Sequence, residues 1–477
     1  MRRLVCTTTA ALLALAPVSA RPHGQGVDHG VGVTHPIFGP SVHLLDPSLY
    51  PPSDQHYALQ PLPDAEPSIA IAPDGTVWVA AIHMHNGTAL WRGRFGQARP
   101  ACVGMPDHGL GGFDVALAVG VGTPANLYIA SLLPLTAPVV ASHVAVTTCP
   151  AGVVDAGFRG CAFYPHLAFG QRDRPWLAAY GRSTVYLSYM RRDENVLSGH
   201  VTVQRSDDGG HTWHPVGDPI ADLAAATSTP VHGWAGNLVV DGHGAVYKVF
   251  VTDRPGQPSD DRFNRIVVAA SHDSGLTWRA VTVYQGGAQE DDGNMWPGLA
   301  VDAAGSLYAA WSDRRDVYLA RSDDGGATWT APRRVDTPSP LLRISVLPAL
   351  TTGAAGHVAL AWYGTAAAGN LAAAARWRVW FAESYDGGRT FVQVPTTETV
   401  HRGPVCTKGD RCPWVQRQLL DDFGLALDPR TGRAAIAYSR SVEFGDYKGC
   451  RRAANCPQTY YVEERASSRS HQPSADG

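Results

Sequence analysis

Charge is scarce in this chain, and neither sign is in surplus. Only 17% of its 477 residues are charged, 39 Lys and Arg against 42 Asp and Glu, for a formal net charge of −3. That balance gives no electrostatic case for nucleic acid or for an anionic membrane surface. Long apolar runs are missing too: beyond the N-terminus no segment approaches the roughly 20 apolar residues a membrane helix requires. No helical periodicity of any length competes with a β reading. The cysteines show no Cys-x-x-Cys spacing and no nearby His, which argues for disulfides over a zinc site.

What is abundant is Gly (50) and Pro (35), the composition of a turn-rich all-β protein. Residues 1–20 read as a secretory signal: Met1-Arg2-Arg3, an apolar stretch from Leu4 to Ala16, and a small-residue cleavage site at Val18-Ser19-Ala20. An exported, extracellular product follows as the expectation, and export makes disulfides plausible. Cys406/Cys412 and Cys450/Cys456 each lie six residues apart in loop-like sequence, so each pair is expected to staple its own loop; Cys149–Cys161 is the favoured third pair, leaving Cys102 over.

One pattern recurs four times. Ser206-Asp207-Asp208-Gly209-Gly210-His211-Thr212-Trp213 is the first copy, and Ser271 to Trp278, Ser322 to Trp329 and Ser384 to Phe391 follow. Each reads Ser-x-Asp-x-Gly-x-Thr-aromatic, at intervals of about 50–65 residues, the scale of a repeat architecture. The Asp carboxylate can accept hydrogen bonds from N–H groups of its own turn, and the Gly supplies a positive φ. Asp208, Asp273, Asp324 and Asp386 are therefore expected to lock turns rather than do chemistry.

A second unit recurs seven times: an apolar strand, a tight turn, and an aromatic-rich strand. It is clearest at Pro67 to Ala80, around Asp74-Gly75, and returns at Asp114 to Ala130, Trp176 to Tyr189, Asn237 to Phe250, Leu299 to Trp311, Ala349 to Trp362 and Phe423 to Tyr438. With a third strand in each unit, this predicts a β-propeller of seven blades, with boxes in blades three to six. The last unit runs out after Glu464, so a strand near Ser41 to Leu45 is expected to complete it. The division expected is 1–20 signal, 21–65 a segment contributing that closing strand, 66–465 propeller and 466–477 a disordered tail.

The box resembles the Asp-box, or bacterial neuraminidase repeat, of secreted sialidases, and the resemblance extends over residues 66 to about 465. It implies a sialidase-like propeller, six-bladed as the alternative count, that acts on or binds glycans. An exo-acting glycoside hydrolase is one reading; a non-catalytic module for a glycan or an extracellular protein is the other. A polysaccharide lyase is a third. A sialidase pairs its substrate's carboxylate with three Arg side chains, attacks with a Tyr activated by a Glu, and uses an Asp as acid/base. Its first Arg lies in an Arg-Ile-Pro motif, where this chain reads Glu66-Pro67-Ser68-Ile69.

In a propeller the inner strands begin near one mouth of the channel, so the residues ahead of them are the candidates. They are Glu66, Asp114, Asp173, Arg174, Trp234, Asn237, Asp291, Asp292, Asn294, Trp296, Arg343, Asp421 and Asp422. Asp114, Asp292, Glu66 and Asp422 are the candidate catalytic carboxylates; Arg174, Arg343, Asp173 and Trp296 are the candidate substrate-binding side chains. The chemistry calls for no cofactor, although the same carboxylates could hold a channel cation such as calcium. A monomer is expected, with no nucleic-acid or membrane partner.

Overall fold

A strand buried on both faces cannot alternate polar with apolar, and the second strand of a propeller blade is such a strand. Thr76–His83, Val246–Thr252, Leu307–Ser312 and Val358–Thr365 are buried at every position. The computed structural model describes residues 35–44 and 64–466, apart from 84–86, 98, 135–141, 155–157, 169–171, 192–195, 198–199, 227–229, 257–261, 414–415 and 442–456. Within them the strands form seven antiparallel sheets, so the count is seven blades and not six.

Blade one runs Asp64–Ile71, Thr76–His83, Thr88–Arg94 and Ala101–Gly104 from the inside outward. The inner strands of blades two to six are Phe113–Val119, Arg172–Tyr180, Gly233–Val240, Gly298–Val301 and Ile344–Thr352. Blade seven takes Gly424–Leu427, Ala434–Ser441 and Pro457–Arg465 from the end of the chain. Its outer edge is covered by Ile37–Phe38 and Val42–His43, both antiparallel to Pro457–Arg465. That edge is fastened by side chains as well. Phe38 stacks edge-on against Phe381 at 5.1 Å, the Tyr438 hydroxyl donates to Ser41 Oγ at 2.6 Å, and Leu44 is buried.

The boxes show why every fixed letter of the pattern is needed. In the third, Ser322 Oγ donates to Asp324 Oδ1 at 2.8 Å while accepting from the Gly326 N–H at 2.9 Å. Asp324 also accepts from the Thr328 N–H and hydroxyl, and the Trp329 indole N–H returns to the Gly326 carbonyl at 3.2 Å. The other three boxes repeat the Ser–Asp–Thr pattern, and the two with Trp repeat the indole bond. The aromatic ring is half-buried rather than enclosed. Blade two has no box, and there a disulfide joins Cys149 to Cys161.

Polar struts tie each inner strand to the next. Ser68 Oγ accepts from the Leu117 N–H at 3.0 Å, Asn237 exchanges two hydrogen bonds with the Leu299 backbone, and Thr352 Oγ1 donates to Val301 O at 2.7 Å. Asn237 is thus a blade connector. One short α-helix, Ala221–Ala226, is found among the described residues, and none there is long and apolar enough to cross a membrane. A second disulfide joins Cys406 to Cys412. The signal at 1–20, most of the tail, and Cys450 and Cys456 lie outside the described residues.

Candidate functional site

Five inner strands carry an irregularity near their start, and in blades one, two and three it displaces a charged residue. The pairing register shifts between Ala65 and Ser68, between Phe113 and Val115, and between Asp173 and Trp176. The residues displaced from the ladder are Glu66, Asp114 and Arg174. A bulge re-aims a side chain, and bulges gather beside functional sites. Glu66 and Arg174 also hold φ values of 47° and 45°, each directly before a proline. Positive φ at such a residue is strained, by about 1–3 kcal/mol. Blade six has the same feature at Leu347, φ 56°, with an apolar side chain.

The displaced side chains meet residues from the segment leading into blade seven. Asp421 donates its backbone N–H to Glu66 Oε1 at 2.9 Å, and the Glu66 N–H donates to Ser439 Oγ at 3.2 Å. The Glu66 and Asp114 carboxyl groups lie within hydrogen-bonding reach of each other, and Asp114 within reach of Asp173. Arg174 pairs with Asp422, and Arg417 with Asp421. The cluster therefore joins blades seven, one, two and three. Glu66 and Arg174 are 4% and 3% exposed, whereas Asp114, Asp173, Asp421 and Asp422 are half-buried. Arg174 Nε, Asp421 Oδ1 and Asp422 Oδ1 are buried without a hydrogen-bond partner, as polar atoms awaiting water or a ligand would be.

Packing five carboxyl groups beside two guanidinium groups separates their proton affinities. Burial, then the Asp114 and Asp421 charges, push Glu66 well above the ordinary carboxyl range. Burial acts the same way on Asp114, but Arg174, the hydrogen bonds from Asp173 and Glu66, and Arg417 outweigh it and hold Asp114 low. Burial also raises Asp421 against the pull of Arg417, with Asp114 adding to the rise. The proton affinities of the neighbours Glu66 and Asp114 are thus pushed in opposite directions.

Beside the carboxylates stands an aromatic wall. The Arg174 guanidinium lies 4.0 Å from the Trp176 ring centroid and 5.9 Å from that of Trp296. Trp296 packs edge-on to Trp176 and Trp234 at 6.3 and 5.4 Å. Trp296 itself is buried, so the half-exposed faces belong to Trp176 and Trp234.

Two candidates fall elsewhere. Asp292 sits in a second acidic group, where burial, then Asp313, Glu290 and Asp291, push it up to about 8. Arg343 is exposed, and its backbone N–H donates to Thr365 O on the neighbouring strand. Both precede inner strands, those of blades five and six. Arg417 was not foreseen from the sequence. It lies in a strap, residues 403–423, whose course is set by the Cys406–Cys412 staple and by docking: Thr407 Oγ1 donates to Asn294 Oδ1 at 2.6 Å and Lys408 pairs with Asp291 at 2.8 Å. Gly409 turns against Met295 and Trp234. Among the described residues no three His, Cys, Asp or Glu side chains converge as metal ligands would.

The model of the BNR repeat-like domain matches residues 175–446, more than half of the chain. The chain belongs to the BNR repeat-like family. No curated protein matches it in sequence. Solved structures similar to this BNR repeat-like chain include a Hadza microbial sialidase, at 12% identity and a TM-score of 0.40 over 85% of this chain and 66% of the sialidase. The polysaccharide lyase Uly1 is 12% identical at 0.49, over 91% of this chain and 98% of the lyase. An α-L-arabinanase of Penicillium chrysogenum, solved with arabinobiose, is 11% identical at 0.43, over 90% of this chain and 98% of the arabinanase.

Proposed function

We propose that this BNR repeat-like propeller is a secreted glycoside hydrolase whose reaction takes place at the Glu66–Asp114–Arg174–Asp421–Asp422 cluster. The observation that carries the reading is the meeting of Glu66 and Asp114 from neighbouring blades, in surroundings that push their proton affinities in opposite directions. Two carboxyl groups driven apart in pKa by their surroundings are what acid/base chemistry at one pH requires. Glu66 supplies the proton for the leaving oxygen, and ionised Asp114 stabilises the positive charge that develops on the sugar ring. Trp176 and Trp234 offer apolar faces to the sugar, and the half-buried Asp421 and Asp422 carboxylates accept from its hydroxyls.

A second reading, a non-catalytic glycan-binding module, is favoured by one observation. The Glu66 and Asp114 carboxyl groups lie within hydrogen-bonding reach of each other, whereas a glycosidase pair is set about 5 Å apart or wider to admit the anomeric carbon or a water. A panel of fluorogenic glycosides, a sialoside among them, separates the two on the purified protein. Turnover of any member supports hydrolysis. Saturable binding of the same sugars without turnover selects the binding module instead.

A further inference from the structure

The cluster has a charge pattern that bears on which sugar it can take. Both of its guanidinium groups are already engaged by carboxylates of this chain, Arg174 with Asp422 and Arg417 with Asp421. Arg174 is 3% exposed and stacked on Trp176 at 4.0 Å, so it has no freedom to swing toward an incoming anion. Beyond those two pairs the cluster still holds Glu66, Asp114 and Asp173. A carboxylate or sulfate entering here would have to displace Asp422 or Asp421 and then sit beside the remaining acids.

We infer that the site admits sugars without an acidic group, neutral or amino-bearing, and rejects uronates, sialosides and sulfated glycans. The inference rests on the glycan reading above and narrows it to a substrate class. Recognition of a sugar carboxylate needs guanidinium groups whose N–H donors are free for bidentate pairing. Here each guanidinium is already paired with a carboxylate of this chain, and the ionised acids beside them act as an exclusion device. An amino sugar meets the opposite situation. Its ammonium would instead meet the half-buried Asp421 and Asp422 as favourable opposite charges.

Calorimetric titration with three oligosaccharide sets tests this: neutral gluco- and galacto-oligosaccharides, chitosan oligosaccharides, and an acidic set of oligogalacturonate and sialyllactose. The wild-type protein should bind a neutral or amino member at least about tenfold more tightly than every acidic one, a gap of about 1.4 kcal/mol. Asp422→Asn, which keeps the shape but removes the negative charge paired with Arg174, should tighten binding of the acidic set by a similar factor. Preferential binding of an acidic sugar by the wild type would overturn the inference and leave the glycan reading standing. So would an Asp422→Asn protein that folds normally and gains nothing for the acidic set. Failure to bind any member of the three sets would remove the glycan reading itself, and the inference with it.

Discussion

The backbone N–H of Asp421 donates to Glu66 Oε1 at 2.9 Å across 355 residues of sequence. It joins the segment entering blade seven to the bulge that opens blade one, so closure of the ring and assembly of the carboxyl cluster are one event. Glu66 is held from both sides: its own N–H is taken by Ser439 Oγ on the second strand of blade seven. Anything that loosens blade seven should therefore reach the site.

Removal of residues 35–44 tests that coupling. It strips Ile37–Phe38 and Val42–His43 from the outer edge of blade seven, with the Phe38–Phe381 contact and the Tyr438–Ser41 hydrogen bond. Loss of buried Leu44 and half-buried Phe38 and Val42 should lower Tm on the order of 10 °C and leave an unpaired strand edge prone to association. A shortened chain that melts like the full one would show that the edge pairing is unimportant to the ring.

The boxes give a pH-dependent contribution whose sign is fixed. Burial raises the Asp386 carboxyl, but the Thr390 hydroxyl and N–H, Ser384 Oγ and the Arg389 N–H outweigh it and bring it to about 2. A depressed folded-state pKa means stabilisation that is full above the unfolded value near 4 and lost as pH falls through about 2. Asp386→Ala should lower stability at pH 6 by on the order of 1 kcal/mol, modest because solvent screens the group. Melting curves of the two proteins should converge between pH 4 and pH 2. Curves that stay parallel would remove the carboxylate from the account.

Replacing Cys406 and Cys412 together by Ser addresses the strap. Without the staple, Thr407 and Lys408 lose their hold on Asn294 and Asp291, and Arg417, Asp421 and Asp422 lose their fixed approach to Glu66. Misplacement by about 1 Å at a reacting centre lowers rates by about a hundredfold. Turnover, or sugar affinity if no turnover is found, should fall by about ten- to a hundredfold with only a small change in Tm. Full function in the double variant would make the strap a bystander.

The boxes and the seven hairpins were legible because their causes are local. Ser322, Asp324, Gly326, Thr328 and Trp329 satisfy one another within eight residues, and a strand buried on both faces announces itself at Val246–Thr252. The site was legible in part. Glu66, Asp114, Asp173, Arg174 and Asp422 could be named from their places ahead of inner strands. Position along a blade does not fix position around the ring, and so Asp292 and Arg343 were grouped with them although they stand apart. Arg417 lies in no strand. Its placement follows from the Cys406–Cys412 staple, which the six-residue spacing suggested, and from the Lys408–Asp291 pair, a contact between segments more than a hundred residues apart that no local pattern encodes. The prolines after Glu66, Arg174 and Leu347 were the available signal for an irregularity there, since a residue before proline is disfavoured in the right-handed helical region, but their positive φ was not foretold by it.

The central claim is that Glu66 and Asp114 form an acid/base pair acting on a glycan. Turnover of the best substrate from the fluorogenic panel should be measured against pH for wild type, Asp114→Asn and Glu66→Gln, each with its Tm. The wild type should give a bell-shaped profile, its acid limb set by ionisation of Asp114 and its alkaline limb by loss of the Glu66 proton. Asp114→Asn should reduce kcat by at least about a hundredfold, a typical contribution from a positioned acid or base, and Glu66→Gln should remove the alkaline limb. Tm should move by no more than a few degrees in either. Hydrolysis that persists in both folded variants, with the wild-type pH profile, would contradict the account.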